Sequence, residues 1–359
     1  MTAGGGSVTA LPDLASRVLG GSVVAANDEL FAQRENLIRP EAPAFDAQEF
    51  GHKGKVYDGW ETRRRRAAEP DPDARDWAVV RLGTPGVVHG VVVDTAHFRG
   101  NYPPHVSVEA TSVQGYPSVE ELLRARWVTL VPRSPAEGDT ANLYAVADRH
   151  RWTHVRLSIF PDGGVARLRV HGEVVPDPAV LTGTVDLLAA EVGGRLVDCS
   201  DAFYASPANI IAPGRARNMG EGWENARRRG GGNDHAVFAL AAAGVPRRVE
   251  VDTGYYVGNA AGWVRLSTVD ARRADPEQAA AWSELLPRTR IQPDTRHFLP
   301  LPAARPATHL RLDVYPDGGL SRLRLWGELD EASLLDVRRR WQELQPREHH
   351  AAATPAATD

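Results

Sequence analysis

Between Lys55 and Arg66 the chain concentrates Asp58, Trp60, Glu61 and the run Arg63, Arg64, Arg65, Arg66. A guanidinium is a planar fork that grips a carboxylate through two hydrogen bonds, an indole walls off water, and a carboxylate moves a proton. These are the parts of a site for a small anion. The bland reading of the same residues puts Trp60 in a core, Asp58-Gly59 in a turn and the arginines in solvent. A second polar stretch, Asp94, Thr95, His97, Arg99 and Asn101, follows a strongly apolar segment, and strand ends commonly border loop-built sites. His97 is its one imidazole and suits a general acid or base near neutral pH; a surface His beside a turn is the competing reading. Asp162 and Asp317 sit in Pro-Asp-Gly-Gly turns, where an Asp ordinarily bonds its own backbone. Arg167, Arg169, Arg322 and Arg324 alternate with apolar residues and project from the opposite sheet face, which is either a concave ligand surface or a wet one.

Other chemistries leave no trace. The sequence has no His-Glu-x-x-His, no phosphate-cradling loop ending in Lys-Ser/Thr, no Gly-x-Ser-x-Gly elbow and no clustered Cys/His set. No cofactor is evident and no metal site is assigned, although a divalent cation such as Mn²⁺ on Asp28 or Asp94 is compatible with the residues.

The elements that must position these side chains occur twice. Gly20-Gly21, Asn27-Asp28 and Phe31 recur as Gly193-Gly194, Ser200-Asp201 and Tyr204; Gly59-Trp60-Glu61 recurs as Gly222-Trp223-Glu224. Asp94-Thr95 and Gly100-Asn101 recur as Asp252-Thr253 and Gly258-Asn259, and Pro161-Asp162-Gly163-Gly164 as Pro316-Asp317-Gly318-Gly319. The order is kept while the offset falls in steps, the signature of loop deletions in a duplicated domain. Repeat one is placed at 13–178 and repeat two at 184–331, with a C-terminal helix at 332–346 and disordered tails at 1–12 and 347–359. Ala226 stands opposite Arg63 and Tyr255 opposite His97, so repeat two reads as a supporting copy.

Within each copy period-two alternation dominates. Strands are expected over Trp77–Leu82, Val87–Asp94 and Val106–Ala110 and at their counterparts Ala236–Leu240, Arg248–Asp252 and Trp263–Ser267. Val155–Ile159 and Ala166–His171 are expected to form a hairpin about Pro161–Gly164. Short helices are expected near Ser118–Arg126, Pro276–Leu286 and Ala332–Leu344. The fold class is therefore all-β, two tandem β-sandwiches of jelly-roll type with few short helices.

Composition narrows the partners. With 359 residues, 42% hydrophobic and 25% charged, each half can bury a core. A net charge of −4 gives no broad positive field for a phosphate backbone, so no nucleic acid is expected. No apolar run is long enough to span a bilayer, and no membrane partner is expected. Cys199 is the single cysteine, which excludes an internal disulfide and fits a reducing compartment; a cytoplasmic protein is expected.

The string from Leu19 to Asp28, Asn36-Leu37-Ile38, Gly54 to Arg66, Val93 to Asn101 and Phe160 to Arg169 resembles the allantoicase (allantoate amidinohydrolase) family, over both repeats. The resemblance implies tandem jelly-roll domains similar to galactose-binding modules, and hydrolysis of allantoate to ureidoglycolate and urea in purine (allantoin) degradation. For that substrate, one carboxylate and two ureido groups on a single carbon, the residues suggest Arg63 or Arg64 on the carboxylate, Glu61 or Asp94 activating water, and His97 protonating the leaving nitrogen. Asp58, Trp60, Arg65, Thr95, Arg99 and Asn101 complete the expected binding set, and a homo-oligomer is expected. The competing reading is a non-catalytic ligand- or carbohydrate-binding sandwich protein, which would favour exposed aromatics and neutral amides over this ionic cluster.

Overall fold

The computed structural model describes residues 7–66, 69, 71–301 and 305–346. Repeat one contains β1 (Ser22–Ala26), β2 (Phe50–Gly51), β3 (Gly54–Lys55), β4 (Trp60–Glu61), β5 (Asp76–Asp94), β6 (His105–Thr111), α1 (Val119–Arg124), β7 (Val128–Pro135), β8 (Ala141–Ala145), β9 (Arg151–Phe160), β10 (Gly164–Val165) and β11 (Arg167–Val174). Repeat two contains β12 (Val185–Asp186), β13 (Arg195–Cys199), β14 (Asp234–Asp252), β15 (Trp263–Val269), β16 (Ser283–Arg290), β17 (Arg296–Pro300), β18 (Ala307–Tyr315) and β19 (Arg322–Leu329), followed by α2 (Glu331–Glu343). The all-β expectation holds, with two α-helices among the described residues.

Each repeat is built around one long strand that serves both layers of a sandwich. The first half of β5 pairs with β1 and β9, and β9 continues through β6 to β7; its second half pairs with β8 and β11. The register slips between Arg81 and Gly86, where the strand passes from one layer to the other. β14 does the same for β13 and β18, then for β17 and β19. Alternate side chains from the two layers make a separate apolar core in each copy, one around Trp60, Val91 and Leu157, the other around Trp223, Val251 and Leu312. The repeats touch at Thr84, whose hydroxyl donates to Glu191 O. The carboxyl end of α2 returns to repeat one, where Leu344 O accepts from Arg151 N.

Three expectations are corrected. First, β9 and β11 do not form a hairpin: they belong to opposite layers and meet β5 at different halves. The Pro-Asp-Gly-Gly segment crosses between layers, with Gly163 at φ +142° and Gly164 so close to the Phe98 ring that a Cβ would lie 2.0 Å from it. Second, Pro276–Leu286 is no helix. A single 3₁₀ turn at Ala279–Ala281 leads into β16, an outer strand that pairs with β15; Leu286 faces the core, so burial overrides local helix propensity, and the edge tolerates Pro287. Third, the amino-terminal segment is packed from Ser7 onward. Pro12 O accepts from Gly172 N, the His171 ring bonds Leu11 O, and Val8 lies against Gly90. Residues 1–6 and 347–359, expected to be tails, lie outside the described residues.

The other two helices appear where expected, α1 opened by a Ser118–Glu121 capping box and α2 capped by Asp330. No described helix is long and apolar enough to cross a membrane.

Candidate active site

Three chain segments of repeat one converge on a cleft of about 470 Å³: the β4 strand and the arginines after it, the loop Gly100–Pro104, and the crossover Pro161–Gly163, with Leu30 and Phe31 forming an apolar wall. β4 is held there by its pairing with β10 and by Trp60, fully buried, whose indole N–H donates to Asp28 O at 2.7 Å. Trp60 is thus a core anchor and does not line the cleft. One residue along the strand, the side chain reverses direction and Glu61 faces the cleft.

Glu61 Oε1 accepts a hydrogen bond from Asn101 Nδ2 at 2.8 Å. Burial raises its carboxyl above the ordinary glutamate value, and the amide N–H of Asn101 offsets part of that rise. Three arginines line the same cleft, Arg63, Arg64 and Arg66. Asp28 takes Arg63: its carboxylate accepts from the Arg63 backbone N–H at 2.9 Å and pairs with the guanidinium. Burial pushes Asp28 upward, but hydrogen bonds from the Leu30 and Arg63 N–H groups and from the guanidinium hold it below the usual range. Arg64 and Arg66 meet no hydrogen-bonding or ionic partner among the described residues, so theirs are the forks available to an incoming anion, Arg64 standing nearer to Glu61 along the chain. Arg65 turns away to Asp76 at 2.6 Å, while its N–H donates to Asp162 Oδ2 at 2.7 Å. Asp162 therefore secures the arginine run to the crossover instead of bonding within its own turn.

Several expected site residues stand elsewhere. Asp94 accepts from the Ala96 N–H. Thr95 is buried and donates to Glu137 O and Thr140 O. His97 stacks on Phe45 with centroids 5.3 Å apart, and its Nε2 lies 3.3 Å from Pro43 O; its backbone, at φ +70°, is held by Asp139. Arg99 pairs with Asp139 in solvent. Asp58 is clamped by the buried Arg167, at 2.7 and 3.2 Å, with Arg39 and the Ala44 N–H beside it. Arg167 is fully buried, neither a concave surface nor a wet one. The cleft adds groups that the sequence did not single out, Tyr102, Leu30 and Pro104; the recurrence of Phe31 as Tyr204 was the available hint of the apolar wall. Among the described residues no three His, Cys, Asp or Glu groups gather as a metal would require.

Repeat two copies the central pair without its surroundings. Asn259 Nδ2 donates to Glu224 Oε1 at 2.7 Å, and Trp223 donates to Asp201 O at 2.9 Å. Asp201, however, faces Ala226 where Asp28 faces Arg63, and accepts backbone N–H groups in place of a guanidinium.

Comparison with known proteins agrees with this duplicated plan. The family model described as the allantoicase repeat matches residues 12–175 and again 185–330. A probable allantoicase of Streptomyces coelicolor is 54% identical over 345 residues, 94% of this chain and 90% of the relative. The allantoicase of Dictyostelium discoideum is 40% identical over 327 residues, 89% of this chain and 87% of the relative. The crystal structure of allantoicase from Saccharomyces cerevisiae superimposes with a TM-score of 0.74 at 32% identity, over 89% of this chain and 93% of that one. With both copies matched and relatives aligned along nearly their whole length, the chain belongs to the allantoicase family.

Proposed function

We infer that this chain is an allantoicase, hydrolysing allantoate to ureidoglycolate and urea in allantoin degradation. The observation that carries the site assignment is the Glu61–Asn101 pair facing an unpaired Arg64 across one cleft. Near-full-length kinship to named allantoicases supports the reaction over a non-catalytic sandwich.

The chemistry follows from what the cleft offers. Arg64 takes the substrate carboxylate, with the Asp28-bound Arg63 beside it. Asn101 and backbone groups at the crossover suit the ureido amides. As the bond from the central carbon to one ureido nitrogen breaks, the lone pair of the other ureido nitrogen relieves the electron deficiency at that carbon. Water adds there, Glu61 accepts its proton, and the same proton passes to the departing nitrogen; one water is consumed and urea leaves. Glu61 begins as the carboxylate and ends as the carboxylate. Its burial raises its proton affinity above that of an ordinary glutamate, the direction such a relay calls for. His97 and Asp94, bonded elsewhere, take no part in this route.

Repeat two supports repeat one in this reading. The chain is proposed to assemble with further copies of itself: Phe203, Tyr204, Tyr255 and Val257 stand exposed on repeat two, and light scattering after gel filtration tests the assembly. Cytoplasmic residence suits the single unpaired Cys199, and cell fractionation tests it.

The deciding assay is urea release from allantoate by purified protein, with and without a chelator and with added Mn²⁺. Release that survives the chelator assigns the proton transfer to side chains alone; release restored only by Mn²⁺ adds a divalent cation as cofactor. Absence of urea under every condition returns the chain to the ligand-binding reading.

A further inference from the structure

The two repeats differ in what meets one buried charge. In repeat one the Arg167 guanidinium, buried on β11, is met by the Asp58 carboxylate through two of its nitrogens. The matching arginine of repeat two is Arg322 on β19, 5% exposed, and the residue matching Asp58 is Glu221. Glu221 does not reach it. Its carboxylate turns outward to Arg217, accepting from the Arg217 N–H at 2.8 Å and from Nε at 2.6 Å. Arg322 is left with carbonyls alone: Nε donates to Gly214 O, and Nη1 to Glu221 O and Ser321 O. Among the described residues its Nη2 meets no acceptor.

Neighbouring groups offset this charge only in part: Glu221 and Asp252 favour it from a distance, but neither bonds it. Arg324, two residues along the strand, is 8% exposed and bonds Ala212 O and Gly214 O; its Nη1 is buried without a partner, and its nearest carboxylate, Asp186, lies 3.6 Å from Nε. Asp252, across from Arg322 on β14, accepts from the Gly254 N–H and lies 3.9 Å from Arg215. A buried guanidinium that no carboxylate meets by hydrogen bond is costly, and here it opens on space. Arg322 forms one wall of a cavity of about 520 Å³ between the repeats, bordered by Arg17, Pro40 and Glu41 from repeat one and by Arg215, Arg217 and the Arg217-bound Glu221 from repeat two.

We propose that this inter-repeat cavity is a binding site for a small carboxylate, which seats on Arg322 as Asp58 seats on Arg167. The duplicated half supplies the template: the same strand position, the same buried guanidinium, and a planar carboxylate received by its fork. Arg215 and Arg217, both mostly exposed, draw the anion to the mouth. An occupant also bridges the repeats, since Pro40 and Glu41 belong to the segment whose carbonyls bind Arg169 and Arg167.

Oxalate is a suitable probe, titrated calorimetrically into the full chain at constant ionic strength. Saturable binding is expected, weakened about tenfold or more in Arg215→Ala/Arg217→Ala, whose rim positions keep the fold, as its thermal unfolding verifies. Release of Glu221 in that variant frees its carboxylate to reach Arg322, which acts in the same direction. Oxalate also has access to the repeat-one cleft, so Arg63→Ala/Arg64→Ala is the control and is expected to retain the binding. Sulfate at the same concentration is expected to bind more weakly. The proposal is overturned by absence of saturable oxalate binding, by binding lost in the Arg63/Arg64 variant yet kept in the Arg215/Arg217 variant, or by sulfate binding as well as oxalate.

Discussion

Asn101 donates its side-chain amide to Glu61 across forty residues of sequence, and Asn259 does the same for Glu224 in the second copy. In the first copy, burial raises the Glu61 carboxyl, and the Asn101 bond is the brake on that rise. Replacing Asn101 by Leu removes the brake while keeping the volume. The acid limb of kcat/KM for allantoate should then move to higher pH, because a base whose pKa rises is protonated sooner as pH falls. An unmoved limb would separate Glu61 from the titration.

Arg64 and Arg63 should differ when truncated. Arg64 is free to receive the substrate, so Arg64→Ala is expected to raise KM with little change in the melting temperature. Arg63 is bound to Asp28, so Arg63→Ala should also lower the melting temperature by releasing a carboxylate that anchors the start of the arginine run. Steady-state kinetics combined with thermal unfolding separates the two.

His97 should prove dispensable for turnover. Its ring lies on Phe45 and against Pro43 O, away from the cleft. His97→Ala is expected to keep kcat near that of the parent while losing some stability through the lost stacking and the left-handed backbone. A kcat loss of about a hundredfold or more, the scale of general acid–base catalysis, would return His97 to the mechanism.

The Asp58–Arg167 pair should act on stability. Burial would raise Asp58, but Arg167, the Ala44 N–H and Arg39 outweigh it and hold the carboxyl below its ordinary value. A depressed folded-state pKa contributes stability present above the unfolded value and lost as pH falls through the folded one. Asp58→Ala leaves a buried guanidinium unpaired and should cost roughly 3–5 kcal/mol, read by urea denaturation at neutral pH, with the difference from the parent shrinking in acid.

The duplication, most strand positions and the residues around Glu61 were legible because they depend on local alternation and on recurrence. The pairing of strands was not. Val155–Ile159 and Ala166–His171 carry a turn signal between them, yet β5 is long enough to accept both in different layers, and nothing in the local pattern encodes that. Leu285 and Leu286 likewise read as helix until burial beside β15 fixes them in a strand. In the site, Glu61, Arg64 and Asn101 were singled out by residue type, whereas the diversion of Arg63 to Asp28, of Asp58 to Arg167 and of His97 to Phe45 depends on contacts between distant segments. Spacing does not reveal which of several adjacent arginines is already engaged.

The most direct test is the rate of urea release from allantoate by Glu61→Gln against the parent protein, with folding verified by superimposable thermal transitions. Glutamine keeps the shape and a hydrogen bond to Asn101 but cannot relay a proton, so kcat is expected to fall by about 10²–10⁴-fold. Turnover within a few-fold of the parent would contradict the assignment of Glu61 as the proton-transfer group and, with it, the location of the active site.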